Sequence, residues 1–199
     1  PAVTLRRADL PTTRLWQRRP GSPDFLILNA GVGNPGWAPP LASSASRKLE
    51  EEVQQLVDGA VVPGAPVEVD LTAAGVVGIV GDRDGCLAVA RSLLCQAATH
   101  CGPADLTIGV FCDPGRSTEW SWAGWLPHVR RMGDGSGGRW LSTERGRSES
   151  LLRALRDGID AHPTRALLLV LDSDVLTEGR DAPARQLLGH GRPVGGMVL

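Results

Sequence analysis

Apolar positions along this chain follow two rhythms. Unbroken apolar runs at Val76–Val80, Leu106–Phe111 and Ala166–Leu171 predict buried strands. Longer stretches with apolar residues every three or four positions predict helices. Asp84–Thr99 puts Leu87, Ala90, Leu94 and Ala97 or Ala98 on one face, and Ser148–Ile159 turns Leu151, Leu152, Leu155 and Ile159 inward. Ser44–Val57 carries Leu49, Val53, Leu56 and Val57 at helical spacing with Glu50–Glu52 outside, and Ala182–Leu188 predicts a last helix. Phe25–Ala30 predicts a strand with which Gly36–Leu41 pairs, and Val67–Leu71 alternates like an antiparallel edge strand. Trp140–Ser142 and Val194–Leu199 predict further strands, and Met132–Gly138 is a glycine-rich loop. Apolar strands alternating with amphipathic helices argue an α/β fold: a three-layer, mainly parallel sheet covered on both faces, with an N-terminal extension of short strands. Pro1–Pro23 has no sustained period, so the expected plan is a linker or arm over residues 1–24 and a single domain over 25–199.

Composition narrows the function classes. With 21 Lys+Arg against 22 Asp+Glu the net charge is −1, which provides no field for non-specific nucleic-acid binding. Arg6, Arg7, Arg14, Arg18 and Arg19 crowd the first stretch and read as a solvated linker. No apolar run approaches the roughly 18 residues that a membrane helix needs, and no signal peptide opens the chain, so a soluble piece is expected. A start at Pro1 leads to the expectation of a piece of a longer protein. Cys86, Cys95, Cys101 and Cys112 lack the spacing of a metal site and read as reduced thiols.

The richest stretch is Val67–Val89, VEVDLTAAGVVGIVGDRDGCLAV, which has the shape of a phosphate-binding loop without its chemistry. An apolar run leads through Gly81 into a helical pattern, as in the strand, loop and helix of a P-loop. With Gly81 as the first glycine of G-x-x-x-x-G-K-[ST], Cys86 takes the second, Leu87 the lysine and Ala88 the hydroxyl. The groups that reach phosphate and hold magnesium are missing. Gly85 stands one position early, and Asp82 and Asp84 bring negative charge where a nucleotide would bring more.

Leu167–Asp174, LLLVLDSD, is an apolar strand ending in an acid, the arrangement by which a Walker B strand holds magnesium. Asp172 is then the metal-side carboxylate; a turn or helix-cap role is the alternative. The next position is Ser173, so a water-activating glutamate is absent there, and Asp174 follows. His128 after Pro127 reads as structural or surface, and Ser142, Ser148 and Ser150 lie in no nucleophile motif. Trp120, Trp122 and Trp125 crowd together: core packing is one reading, and a docking platform for an adjacent domain is the other. Helical spacing puts Trp122 and Trp125 on one face, and the flanking residues predict Trp125 in the core and Trp120 the more exposed.

Four blocks in order, Leu15–Gly33, Val69–Asp84, the W-x-W-x-x-WLPH run of Trp120–His128 and Leu167–Leu176, resemble the segment before the ATPase modules in FtsK/SpoIIIE-family motors of actinobacterial type. These include the EccC motors of type VII secretion and relatives with forkhead-associated domains. The resemblance implies a P-loop-NTPase-like domain, catalytically weak or inactive, that couples the membrane-proximal part of a motor to its ATPase ring. Matched position by position, Gly81, Asp82, Arg83, Asp84, Gly85, Cys86 and Leu87 form the degenerate phosphate loop and Asp172 the Walker B acid, with ATP and Mg at most weakly held. Implied partners are adjacent ATPase modules, type VII secretion components and further copies in a hexamer. The implied location is cytoplasmic, in a parent anchored in the inner membrane. The alternative is a genuine ATP-binding domain of a DNA- or protein-translocating ATPase.

Overall fold

A computed structural model describes residues 15–37, 39, 47–131, 137–159, 165–177, 182, 184–185 and 194–198. They form two compact units, one comprising residues up to Leu28 and from Asp70 onward, the other Asn29–Val69. Residues 15–24, the described part of the expected arm, cluster with the larger unit, and Arg6, Arg7 and Arg14 lie outside the described residues.

The smaller unit rests on a two-stranded sheet of β1 (Ile27–Gly33) and β2 (Ala65–Asp70) with one helix, α1 (Arg47–Val57). The partner of β1 is therefore β2 and not the expected Gly36–Leu41; Gly36 instead makes an isolated antiparallel bridge to Val61. Leu56, expected inward, is exposed, because α1 offers its apolar stripe to too small a unit to cover it.

The larger unit is built on a five-stranded sheet in the order β3-β7-β6-β4-β5, with every pairing parallel. Its strands are β3 (Val76–Gly78), β4 (Leu106–Cys112), β5 (Leu141–Ser142), β6 (Ala166–Asp172) and β7 (Val194–Val198). β4 and β6 pair over seven residues and are buried at every position, which is why they read as unbroken apolar runs. The β3 run differs from expectation. It lies at the sheet edge, and Val76 and Val80 are exposed, Val80 to 97%.

The helices of this unit are α2 (Leu71–Ala74), α3 (Arg83–His100), α4 (Ser117–Trp120), α5 (Arg145–Ile159) and α6 (Asp174–Thr177). Leu151, Leu152 and Leu155 of α5 pack on Phe111, Leu167, Leu169 and Leu171, one alternate set of sheet residues. The side chain of Ile159 and most of Ala182–Leu188 lie outside the described residues. By strand alternation Leu168, Val170 and Asp172 face the other way, toward the side from which α3 reaches the sheet. α3 buries Cys86, Leu87, Ala90, Leu93, Leu94, Ala97 and Ala98. Each such leucine contributes about 1.5–3 kcal/mol of apolar burial.

The two ends of α3 are closed by side chains and by incoming chain. Asp82 accepts from the Gly85 N–H at 2.8 Å as its N-cap. At the other end, the Trp16 N–H donates to the Thr99 carbonyl, its indole N–H to Ala98 and the Arg18 N–H to His100, so the last carbonyls are satisfied by residues 16–18. Arg18 also pairs with Asp24, and Arg19 with Asp105, so these two arginines are used within the chain.

Candidate functional site

In open α/β sheets ligands collect outside the carboxyl ends of the strands, and here β3, β4 and β6 all deliver charged residues to that end. Asp172 closes β6 and is fully buried. Arg83, in the first turn of α3, meets it with both prongs: Nη1 donates to Oδ1 at 2.7 Å and Nη2 to Oδ2 at 2.6 Å. Arg116 Nη1 adds a bond to Oδ1 at 2.8 Å, and the Trp120 indole N–H one to Oδ2 at 2.7 Å. Each carboxylate oxygen thus accepts two hydrogen bonds.

A second layer holds the arginines. Arg83 also pairs with Glu119, while Arg116 reaches Asp174 at 3.3 Å and Asp113 at 3.9 Å. Ser173 donates to Asp113 at 2.6 Å and accepts from the Leu176 N–H, tying the start of α6 to the end of β4. The Glu119 carbonyl accepts from Arg91 and from the Trp122 indole. Two guanidiniums therefore face four carboxylates, Asp113, Glu119, Asp172 and Asp174, and the cluster is net negative.

Burial alone pushes the Asp172 carboxyl up, but the hydrogen bonds from Arg83 and Trp120 and the charges of Arg83 and Arg116 outweigh it and hold the group below the usual carboxylate range. Arg83 is correspondingly raised, first through its bonds to Asp172. Cys112, one residue before Asp113, is pushed up to about 11 by burial and then by the Asp172 charge, so it stays a thiol.

These residues do not fit a magnesium nucleotide. α3 begins two residues after Gly81, so the turn that would have to wrap a phosphate is only two residues long. Asp82 takes the N–H at the helix start, with Asp84 beside it in the first turn. Gly85 serves that cap: a Cβ there would lie 2.9 Å from Asp82 Oδ2. Cys86 donates its S–H to the Ile79 carbonyl, and Leu87, at the lysine position, is 3% exposed and points into the core. On the acid side both oxygens of Asp172 already hold a fixed cation. Among the described residues no group of three or more His, Cys, Asp or Glu could hold a metal.

The tryptophans invert the sequence expectation. Trp120 is fully buried and Trp125 is 86% exposed. The segment is not one helix: α4 gives way at Ser121 to a 3₁₀ turn over Ser121–Trp125, which places Trp120 and Trp122 in a stack at 6.4 Å and swings Trp125 outward. The polar run before Trp120 suggested exposure, yet it supplies Arg116 and Glu119, the neighbours of its buried hydrogen bond. Sequence reasoning missed Arg116, Glu119 and Asp113. One signal was available, since LTIGVFCD repeats the pattern of LLLVLD, an apolar strand ending in an acid.

His128 is buried, bonded through Nε2 to the Cys101 carbonyl and set edge-on to Trp16. Burial lowers its pKa, which keeps it neutral and structural.

No protein-family model matches the chain. It is similar to the ESX-3 secretion system protein EccC3 of Mycobacterium tuberculosis, 31% identical over 182 residues, which cover 80% of this chain and 13% of that protein. The ESX-4 secretion system protein EccC4 of the same organism is 34% identical over 125 residues, covering 58% of this chain and 10% of EccC4. Among solved structures, the cytoplasmic domain of the Thermomonospora curvata type VII secretion ATPase EccC shares the fold: TM-score 0.52 and 16% identity over 68% of this chain and 17% of that one. The chain thus spans only a small part of the length of these relatives, and among its described residues no helix is long and apolar enough to cross a membrane.

Proposed function

We propose, from the premise that this chain is homologous to a segment of the EccC proteins, motors of FtsK/SpoIIIE type, that it is a non-catalytic ATPase-like module of a type VII secretion motor. Its role is mechanical, packing between the membrane-proximal part and the ATPase modules of a longer cytoplasmic chain that works as a hexamer. One observation carries this reading: Asp172 is saturated by Arg83, Arg116 and Trp120. Arg83, from the degenerate loop, supplies in cis the positive charge that a bound metal would supply, and magnesium binding would have to break the buried bidentate pair first.

Calorimetric titration of the chain with ATP and Mg²⁺ tests it. The expected result is no binding tighter than a Kd of about 1 mM, which corresponds to roughly 4 kcal/mol. A micromolar Kd overturns the reading in favour of a genuine ATP-binding domain.

A further inference from the structure

Residues 129–131 and 138–140 form a short antiparallel ribbon that leads into β5, at the opposite edge of the sheet from β3. The Trp140 N–H donates to the Val129 carbonyl at 2.7 Å and the Arg131 N–H to Gly138 at 2.9 Å, with Arg130 bridged to Arg139 between these bonds. That pattern makes Arg130 and Arg139 a non-hydrogen-bonded cross-strand pair, the position at which opposed side chains come closest. Like charges directly opposite one another destabilise a ribbon. Both side chains are exposed, and neither has an ion-pair partner among the described residues.

Trp125 adjoins the pair. The Arg139 side chain lies over Gly124, with its Cδ 3.9 Å and Nη1 4.0 Å from where a Cβ would sit, so the guanidinium runs alongside the residue that precedes the indole. Trp125 is the most exposed tryptophan among the described residues, held outward on the 3₁₀ turn whose other end carries the buried Trp120. An exposed indole one residue along from the Gly124 that Arg139 lies over, with Arg130 opposite Arg139 and neither guanidinium ion-paired among the described residues, has the make-up of a binding hot spot, where Trp and Arg supply most of the energy.

We infer that Trp125, Arg130 and Arg139 form a docking point for an acidic protein segment, with carboxylates on the two guanidiniums and an apolar side chain on the indole. Charge complementarity selects this occupant. The excess of positive charge is local, in a chain of net charge −1 whose crevice at the strand ends is acidic, so a polyanion such as nucleic acid finds no continuing track. Two forks and one aromatic suit a short stretch of carboxylates around an apolar residue. The inference goes beyond the proposed function and stands whether or not nucleotide binds.

The test is fluorescence anisotropy with a labelled peptide alternating Glu-Glu and Leu, against its Gln-for-Glu counterpart. The acidic peptide should bind at least about tenfold more tightly, with affinity falling as salt rises. Arg130→Gln with Arg139→Gln should remove that preference and leave the melting temperature unchanged or higher, because the repulsion is relieved. Trp125→Ala should weaken binding of both peptides, again with the fold intact. Equal binding of the two peptides overturns the inference, as does an acidic-peptide affinity indifferent to the arginine pair. Tighter binding of a single-stranded oligonucleotide through the same arginines overturns it in favour of a nucleic-acid surface. Concentration-dependent self-association abolished by the double variant reassigns the face to a second copy and overturns it equally.

Discussion

The two sides of the crevice at the strand ends, one at the end of β6 and one at the end of β3, are built differently within one fold. At the end of β6 the acid is kept: Asp172 is fully buried and accepts four hydrogen bonds. At the end of β3 the turn is short, and Val80, Gly81 and Asp82 lie exposed to solvent. Burial accounts for the difference. A carboxylate in the interior cannot shed its partners without leaving a charge stranded at low dielectric, whereas an exposed turn can be shortened and recharged at little cost. The two sides are nevertheless joined, because the first turn of α3 sends Arg83 to neutralise the acid. On the proposed reading, the turn after β3 supplies counter-charge where a phosphate loop would hold a ligand.

The most direct way to break this comparison is at the acid. Asp172→Ala leaves Arg83, Arg116 and the Trp120 indole converging on nothing, and is expected to cost about 3–5 kcal/mol, the range for removing one partner of a buried ion pair. Urea denaturation measures it. A loss below about 1 kcal/mol would mean that the buried acid is as dispensable as the loop. Arg83→Ala is expected to cost less, about 1–2 kcal/mol, because Arg83 is partly exposed and Asp172 keeps Arg116 and Trp120. Arg83→Lys should recover under half of that, since an ammonium cannot span both oxygens. Full recovery by lysine would show that only charge matters and not the fork.

A weaker effect comes with pH, at most about 1.4 kcal/mol per pH unit for each group. Asp172 is depressed when folded, so its stabilisation is present above the unfolded carboxylate value and is lost as pH falls through the folded one. His128 is also depressed, by burial, so between its unfolded and folded values the unfolded chain binds a proton that the folded chain refuses. Stability therefore falls as pH drops below about 6.5, the ordinary histidine value. In His128→Gln the unfolding free energy between pH 7 and pH 5 should flatten while the steeper loss in more acid solution remains. An unchanged slope between pH 7 and pH 5 would remove His128 from the account.

The two regions also differed in how well they could be read in advance. β4, β6, α3 and α5 were legible because a strand buried on both faces must be apolar throughout and a half-buried helix must repeat every three or four residues. Val76–Val80 has the same composition but lies at an edge, and neighbours are set by strand order, which no local window contains. Asp172 stood out as an acid closing an apolar strand. Its partners did not, since Arg83, Arg116 and Trp120 come from 89, 56 and 52 residues away. The reversal of Trp120 and Trp125 has the same origin: polarity of the flanks was taken for exposure, when the flanking charges are themselves drawn in by a distant buried acid.

The smallest expected effect lies at the loop and sharpens the claim that its remaining residues serve the helix. Asp82 caps α3 through the Gly85 N–H, so Asp82→Ala should cost about 1 kcal/mol, the usual value of an N-cap, and Asp82→Asn close to nothing. The stronger statement concerns the pair. Alanine in a helix interior is better than glycine by about 1 kcal/mol, yet Gly85→Ala in the native chain would press its Cβ to 2.9 Å from Asp82 Oδ2, so the gain should be cancelled or reversed. In the Asp82→Ala background that clash is gone, and Gly85→Ala should become stabilising. The double-mutant cycle, read by urea denaturation, therefore predicts non-additivity of about 1 kcal/mol between neighbours that a phosphate loop would use for a ligand. Additive behaviour would mean that Gly85 is not there for the cap, and the loop would then need another explanation than helix closure.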